Sequence, residues 1–347
     1  MTRGERGLFG LATHIGIIGS SGHYHYALAG EREIEDAVIC AVAPGSADED
    51  MSRLTAALSA ASVSPKQYDD YREMLDREDL NVVAVNPQFH LNSEVTTEAL
   101  SRAIPVLCEK PLAIDLESLD RVRQAQLQSK AGLGMMLALR YDARFYTARQ
   151  LVASGAIGEP ALGYSQKSYK LGTRPPFYCT RETFGGLIPW IGIHAIDWFR
   201  WISGIEYTAV IGHHANVHAP QYGEMEDTAA CLFELANGGS AVMSFDYLRP
   251  AGAETHGDDR LRLIGSAGCL DISGAGLTLT DPDGTRSIDP VSPPHGLLAD
   301  FAMSLADKDH RCLISTEDAL RVTEISLLAR EAADNGCRVL LSQTGGR

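Results

Sequence analysis

The feature that most constrains this chain is an alternation. Over roughly the first 135 residues, short apolar runs trade places with segments of helical periodicity. Residues 14–18, 37–42, 80–85 and 105–108 read as strands, and 51–61, 68–77 and 93–104 as helices. Strands that are apolar along their whole length are covered on both faces. Strands that alternate with helices pair in parallel, so this part predicts a doubly wound α/β sheet. Ligands of such sheets sit beyond the carboxyl ends of the strands. Those ends read GSSGHY (19–24), APGS (43–46), NPQFH (86–90) and EKP (109–111).

After residue 135 the pattern changes. Residues 146–154 read as a helix, and 162–171, 207–214, 228–235, 241–248, 261–264 and 270–272 alternate as strands do. Asn237-Gly238 is a hairpin signal, and Asp281-Pro282-Asp283-Gly284 is another turn. These features predict an α+β second domain on a large, mainly antiparallel sheet, with domains at 1–135 and 136–347. A last helix is expected to begin at Ser315, with Asp318 as its capping partner, and to end at Asn335-Gly336.

The chain has 347 residues, enough for two cores, and a net charge of −15 from 45 acids against 30 bases. A field of that sign repels nucleic acid and anionic membranes, so neither is expected as a partner. No apolar run approaches the ~20 residues of a membrane helix. The first thirteen residues lack the apolar core of a signal peptide. Seven cysteines, an odd count without paired spacing, read as thiols of a cytoplasmic protein. With no CxxC and no HExxH, no metal site is expected. His213, His214 and His218 read as scattered surface histidines, because neighbours on a strand point to opposite faces.

The stretch GIIGSSGHYHYA (16–27) follows the first strand and opens a helix. Glycine permits a tight turn and close approach to a pyrophosphate, and the helix start supplies free N–H groups. The G-x-G-x-x-G phase reads Gly19, Ser21, Tyr24, with Gly22 shifting it by one. Ser21 is small enough to substitute; Tyr24 is not. The candidate nucleotide turn is therefore Gly19, Ser20, Ser21, Gly22, His23 and Tyr24. Dinucleotide sites usually carry an acid at the end of the second strand for the ribose 2′-OH. Here Pro44 stands there, with no acid and no arginine for a 2′-phosphate. Ser46 or backbone groups are the candidates, and NAD and NADP both stay open.

VLCEKPLA, the upstream NPQFH, ASGAIGEP (153–160), GGLIPWIGIHAIDWFRW (185–201), EDTAACLFELANG (226–238) and LRLIGSAGCLDI (261–272) carry a resemblance. Together they resemble the glucose-fructose oxidoreductase/inositol dehydrogenase family of NAD(P)-dependent oxidoreductases, in the family's order over nearly the whole chain. The resemblance implies an N-terminal Rossmann domain and a C-terminal α/β domain whose open sheet often forms an oligomer interface. A homo-dimer or tetramer is therefore expected. It also implies a dehydrogenase acting on a CH–OH group of a sugar, a polyol or a related hydroxy compound, with NAD or NADP as cofactor.

The family's EKP lysine maps onto Lys110, whose ammonium would bond a substrate hydroxyl and stabilise a developing alkoxide. Glu109 would orient Lys110 or contact the ribose, and Pro111 would fix the chain. Asn86, Pro87 and His90 are further cofactor-side candidates. His194 matches the catalytic histidine of the segment G-x-H-x-x-D (Gly192, His194, Asp197) and would take the hydroxyl proton. Asp197 would orient that segment or contact substrate; alternatively it pairs with Arg200. Arg140 and Tyr141 match an Arg-aromatic pair expected to face the substrate.

Many family members carry an aspartate four residues before the histidine; here Trp190 stands there, after Pro189. An indole holds no charge against an imidazole, but it stacks on a sugar ring. The catalytic set then reduces to Lys110 and His194. The loop GTRPPFYCTR (172–181) carries Arg174, Tyr178 and Arg181. Two arginines suit a carboxylated substrate; the other reading is an ordinary surface loop. Tyr247 is a last candidate. Two further functions stay open: a non-catalytic nucleotide-binding regulatory or sensor protein, and a Rossmann protein for another small ligand such as an imine or a tetrapyrrole.

Overall fold

The computed structural model describes residues 13–341. The leading stretch, read above for its lack of a signal-peptide core, lies largely outside the described residues. Chain contacts divide into two units. One joins the chain up to Met136 with Pro294–Arg321, and the other joins Leu137–Pro293 with the chain from Val322. The first cut falls beside the expected one, but residues 294–321 return to the first unit, which a single boundary at 135 does not provide for.

The first unit runs β1 (Thr13–Ile18), α1 (His25–Glu33), β2 (Ala37–Ala43), α2 (Ser52–Ala60), β3 (Lys66–Gln67), α3 (Tyr71–Arg77), β4 (Val82–Val85), α4 (Asn92–Ser101), β5 (Val106–Cys108), α5 (Leu116–Ser129) and β6 (Leu133–Met135). The six strands pair in parallel in the order β3-β2-β1-β4-β5-β6. The order reverses between β1 and β4, the switch point at which such sheets take ligands. Every residue of β4 and β5 is buried, as their unbroken apolar runs require. Aspartates start two of this unit's helices. The Asp70 side chain accepts the Arg72 N–H for α3, and that of Asp115 accepts the Ser118 N–H (2.7 Å) for α5.

The second unit runs α6 (Ala143–Ala153), β7 (Pro160–Tyr169), α7 (Arg181–Phe184), α8 (Ile193–Ser203), β8 (Tyr207–Ala215), β9 (Thr228–Leu235), β10 (Ser240–Asp246), β11 (Gly257–Gly265), β12 (Cys269–Ser273), β13 (Gly276–Asp281) and β14 (Gly284–Ile288). α9 (Leu297–Ala306) belongs to the first unit, α10 (Thr316–Asn335) starts in the first and ends in the second, and β15 (Val339–Leu340) joins the sheet of the second. That sheet has nine strands in the order β14-β13-β12-β11-β7-β10-β9-β8-β15. Every pairing is antiparallel except β7 with β10. Gly238 turns the β9–β10 hairpin at φ +85°. At the start of α10, Ser315 and Asp318 bond reciprocally, side chain to N–H (3.3 and 3.0 Å).

α8 lies on one face of this sheet. Its Trp198 Nε1 donates to Ser165 Oγ (3.1 Å), and the Tyr207 hydroxyl donates back to the Ile196 carbonyl (2.8 Å). Trp198, Phe199 and Tyr207 are completely buried, each contributing about 1.5–3 kcal/mol or more of apolar burial. No helix among the described residues is long and apolar enough to cross a membrane.

Candidate active site

In the first unit the candidate nucleotide turn is stitched into the strand ends. Gly19 sits at φ +83°, and a Cβ there would lie 2.3 Å from the Pro87 nitrogen, so only glycine fits. Its N–H donates to the Ala43 carbonyl (2.9 Å), while the N–H groups of Ser21 and Gly22 both donate to the Asn86 carbonyl (2.9 and 3.0 Å). The ends of β1, β2 and β4 thus meet at one place.

An acid does reach this place, from the loop after β2 rather than from the strand end. Glu49 is 8% exposed. Its Oε1 accepts the N–H of Ser20 (2.9 Å), the N–H of Ser21 (3.1 Å) and the Ser21 hydroxyl (2.7 Å), and its Oε2 accepts the Gly45 N–H (2.8 Å). Four donors fix the carboxylate and spread its charge. Ser46, the sequence candidate for the ribose, presents its carbonyl to the Glu49 N–H (3.1 Å) and so helps hold the acid. The only sequence signal for Glu49 was an acid in Asp48-Glu49-Asp50, past the position where an acid is usually sought.

Asn86 is fully buried at the end of β4, and neither atom of its side-chain amide has a hydrogen-bond partner among the described residues. Leaving such a group unpaired costs about 1–3 kcal/mol. An unpartnered amide at a switch point fits a polar ligand. α1, which follows Tyr24, has no side-chain cap. A glycine turn, an open helix start, an oriented carboxylate and an orphan amide are the groups a ribose and a pyrophosphate require.

The EKP turn closes the same edge. Glu109 and Lys110 are both fully buried, and the Lys110-Pro111 bond is cis. Asn92, which the sequence reading did not single out, donates its Nδ2 to the carbonyls of Glu109 (3.2 Å) and Pro111 (2.9 Å), clamping the turn. The Glu109 carboxylate accepts the His23 N–H (2.7 Å) and the Lys110 N–H (2.9 Å), and it contacts the His23 ring. Burial pushes the Glu109 carboxyl up, but the charges and hydrogen bonds of His23 and the charge of Lys110 outweigh it, holding it below the usual carboxylate range. A Cβ on Gly22 would come within 2.7 Å of Glu109 Oε2. Pro87 packs where Cβ atoms on Gly19 and Gly45 would stand, and His90 lies on the single turn after β4.

In the second unit, Pro189 and Trp190 sit in a π-helical stretch, Ile188–Gly192, that runs into α8 and His194. Such turns recur at functional sites. Trp190 (7% exposed) and His194 (6%) are both buried. The Trp190 ring stands edge-on to Tyr178 (6.3 Å, 86°). The Arg174 guanidinium covers Tyr247 (4.4 Å) and lies 5.5 Å from the Tyr178 ring. Burial pushes the Tyr247 phenol well above its ordinary range. The two loop arginines part company here: Arg181 is held by Glu226 and Asp334.

Other candidates fall into internal ion pairs. Arg140 donates Nε (3.0 Å) and Nη2 (2.6 Å) to Asp197, with side chains only 1% and 3% exposed. Arg200 bonds Glu206 (2.6 Å). The Arg140–Asp197 pair anchors α8 and supports the histidine segment from behind; Tyr141 is half-buried beside it. His214 corrects the expectation of scattered surface histidines. Its side chain is 13% exposed, between Glu226 (3.3 Å) and Asp334 (3.0 Å). These three could group around a cation, and Arg181 already shares its guanidinium between the two carboxylates.

Residues 13–135 match the oxidoreductase family of NAD-binding Rossmann fold, and residues 145–271 match the GFO/IDH/MocA C-terminal domain. A solved chain from Thermotoga maritima, assigned as an oxidoreductase, is 42% identical, with a TM-score of 0.91 over 94% of this chain and 100% of its own. An inositol 2-dehydrogenase from Salmonella typhimurium is 27% identical over 197 residues, 56% of this chain and 54% of that protein. The chain thus spans about half the length of the curated relatives it matches. An aldose-aldose oxidoreductase from Caulobacter crescentus, 20% identical, shares the fold with a TM-score of 0.80 over 95% of this chain and 100% of its own. With both halves matched in order and a 42% identical relative along almost its whole length, the chain belongs to the GFO/IDH/MocA family of oxidoreductases.

Proposed function

We propose that the protein is an NAD-dependent dehydrogenase that moves a hydride between the nicotinamide and a CH–OH carbon of a sugar, a polyol or a related hydroxy compound. The observation that carries this reading is Lys110. Burying an ammonium costs several kcal/mol, and here it is buried at the strand ends where a doubly wound sheet takes its ligands. Lys110 donates to the substrate oxygen and stabilises the charge that grows there as the proton leaves. His194 accepts that proton, and gives it back in the reverse direction. The nicotinamide, when bound, supplies the hydride chemistry. Glu49, oriented by four donors, accepts from a ribose hydroxyl and repels a 2′-phosphate; this supports NAD over NADP. The names of the inositol dehydrogenase relatives support the substrate class.

The test is NADH formation by the purified protein across a panel of sugars, sugar acids and polyols, repeated with Lys110→Ala. The variant is expected to lose on the order of 10²–10⁴ in kcat/KM. Unchanged turnover by the variant on a true substrate would sink the reading.

The second unit's sheet supports a second copy of the chain as partner. On the face away from α8, Ile211, Leu232, Val242 and Tyr164 are 40–46% exposed and stand in register across four neighbouring strands. Light scattering is expected to give a dimer or tetramer that Leu232→Lys dissociates; a monomeric wild type refutes it. All seven cysteines are free, as thiols of a reducing cytoplasm are.

A further inference from the structure

A chain with net charge −15 repels anions, so a place where it gathers cations and pairs only some of them stands out. The end of β7 is such a place. Lys167, Lys170, Arg174 and Arg249 all act on His256, which is stacked on Tyr169 (4.9 Å between rings). Burial lowers the His256 pKa, and the four cations lower it further. Two of the four are neutralised: Lys167 pairs with Asp259 (2.7 Å) and Arg249 with Asp258 (3.3 Å).

Lys170 and Arg174 meet no carboxylate among the described residues. The Lys170 ammonium donates to the Ala253 carbonyl, and Arg174 Nη2 donates to the Lys170 carbonyl (2.9 Å). Arg174 Nε is buried and has no partner. A surface-loop arginine would satisfy that donor with water; here water does not reach it, and the lost bond costs about 1–3 kcal/mol.

The surroundings state what would complete it. The guanidinium lies over Tyr247 and near Tyr178, which are 2% and 5% exposed. Tyr178 in turn meets Trp190, one turn before His194. A planar fork with an unused N–H suits a carboxylate. We infer that Arg174 and Lys170 form an anion-binding site in the second unit, and that the substrate is a sugar acid whose carboxylate lies on Arg174. This rests on the dehydrogenase reading for the word substrate, though the site itself does not. A phosphate monoester offers the same fork acceptors with up to two negative charges, and the titration below separates it from a carboxylate.

The test is calorimetric titration of the full-length protein, with and without NADH. The ligands are D-glucuronate, D-galacturonate and D-gluconate, set against D-glucose, D-galactose and glucose 6-phosphate. At least one acid is expected to bind tenfold or more tighter than its neutral counterpart. Arg174→Gln should remove at least tenfold of that affinity and leave the neutral sugar within twofold. Arg174→Lys should restore part of it, and melting curves identify any variant that has not folded. Equal binding of acids and neutral sugars, no binding of any acid, or an equal loss for both classes in Arg174→Gln would overturn the inference. Tighter binding of glucose 6-phosphate would overturn the carboxylate. Acid binding without any NAD(H) turnover would remove the dehydrogenase reading and leave the anion site standing.

Discussion

The two units treat buried and half-buried charge in opposite ways. In the first, Glu49 and Glu109 are acids with every carboxylate oxygen supplied with a donor, from the turn residues Ser20, Ser21 and His23 and from Gly45 and Lys110. In the second, Arg174 and Lys170 are cations without a carboxylate, and Arg174 Nε is buried with no partner. The same unit also holds Arg140 and Asp197 as a buried pair. Charges supplied with internal donors or acceptors are held in fixed orientation by the fold. Charges left incomplete mark where an outside group is to be supplied.

The comparison can be broken most sharply at Asp197. Asp197→Ala leaves Arg140 buried without its acid and should cost about 3–5 kcal/mol of stability in chemical denaturation. A loss below about 1 kcal/mol would mean that the pair does not hold α8. Next in size is Glu49→Gln, which keeps the acceptor shape and removes the charge. It should weaken NAD⁺ binding about tenfold, roughly 1.4 kcal/mol, and narrow the preference over NADP⁺. An unchanged ratio in calorimetry would leave Glu49 a purely structural residue. Smallest is the stability effect of Arg174→Gln, expected within about 0.5 kcal/mol of wild type in the same denaturation. A loss as large as that of Asp197→Ala would erase the distinction between charges that hold the fold and charges that await a ligand.

Much of the scaffold was legible because it is written locally. The apolar runs at β1, β2, β4 and β5, the Asn237-Gly238 hairpin and the Ser315–Asp318 box each depend on residues a few positions apart. The short β3 escaped, since two residues carry no period. The parallel β7–β10 pairing escaped as well, because an alternating pattern reports a half-buried strand and not the direction of its neighbour. Among the candidate residues, His194, Lys110 and the glycine turn were visible as motifs, whereas Glu49 and Asn92 were not, since neither stands in a motif.

The sequence by itself determined the two kinds of sheet, the turn with its obligatory Gly19, and the residue types that could carry proton and oxygen chemistry. The first two follow from periodicity and local turn chemistry, the last from the resemblance to the family. Only the tertiary structure decided which charges are free. Arg140 and Asp197 lie 57 residues apart and Ser21 and Glu49 lie 28 apart. Whether such groups meet depends on how strands order themselves in a sheet, and no local pattern encodes that order. Of the two arginines in one loop, Arg181 finds Glu226 and Asp334 and Arg174 finds tyrosine faces, a difference that arises from packing alone.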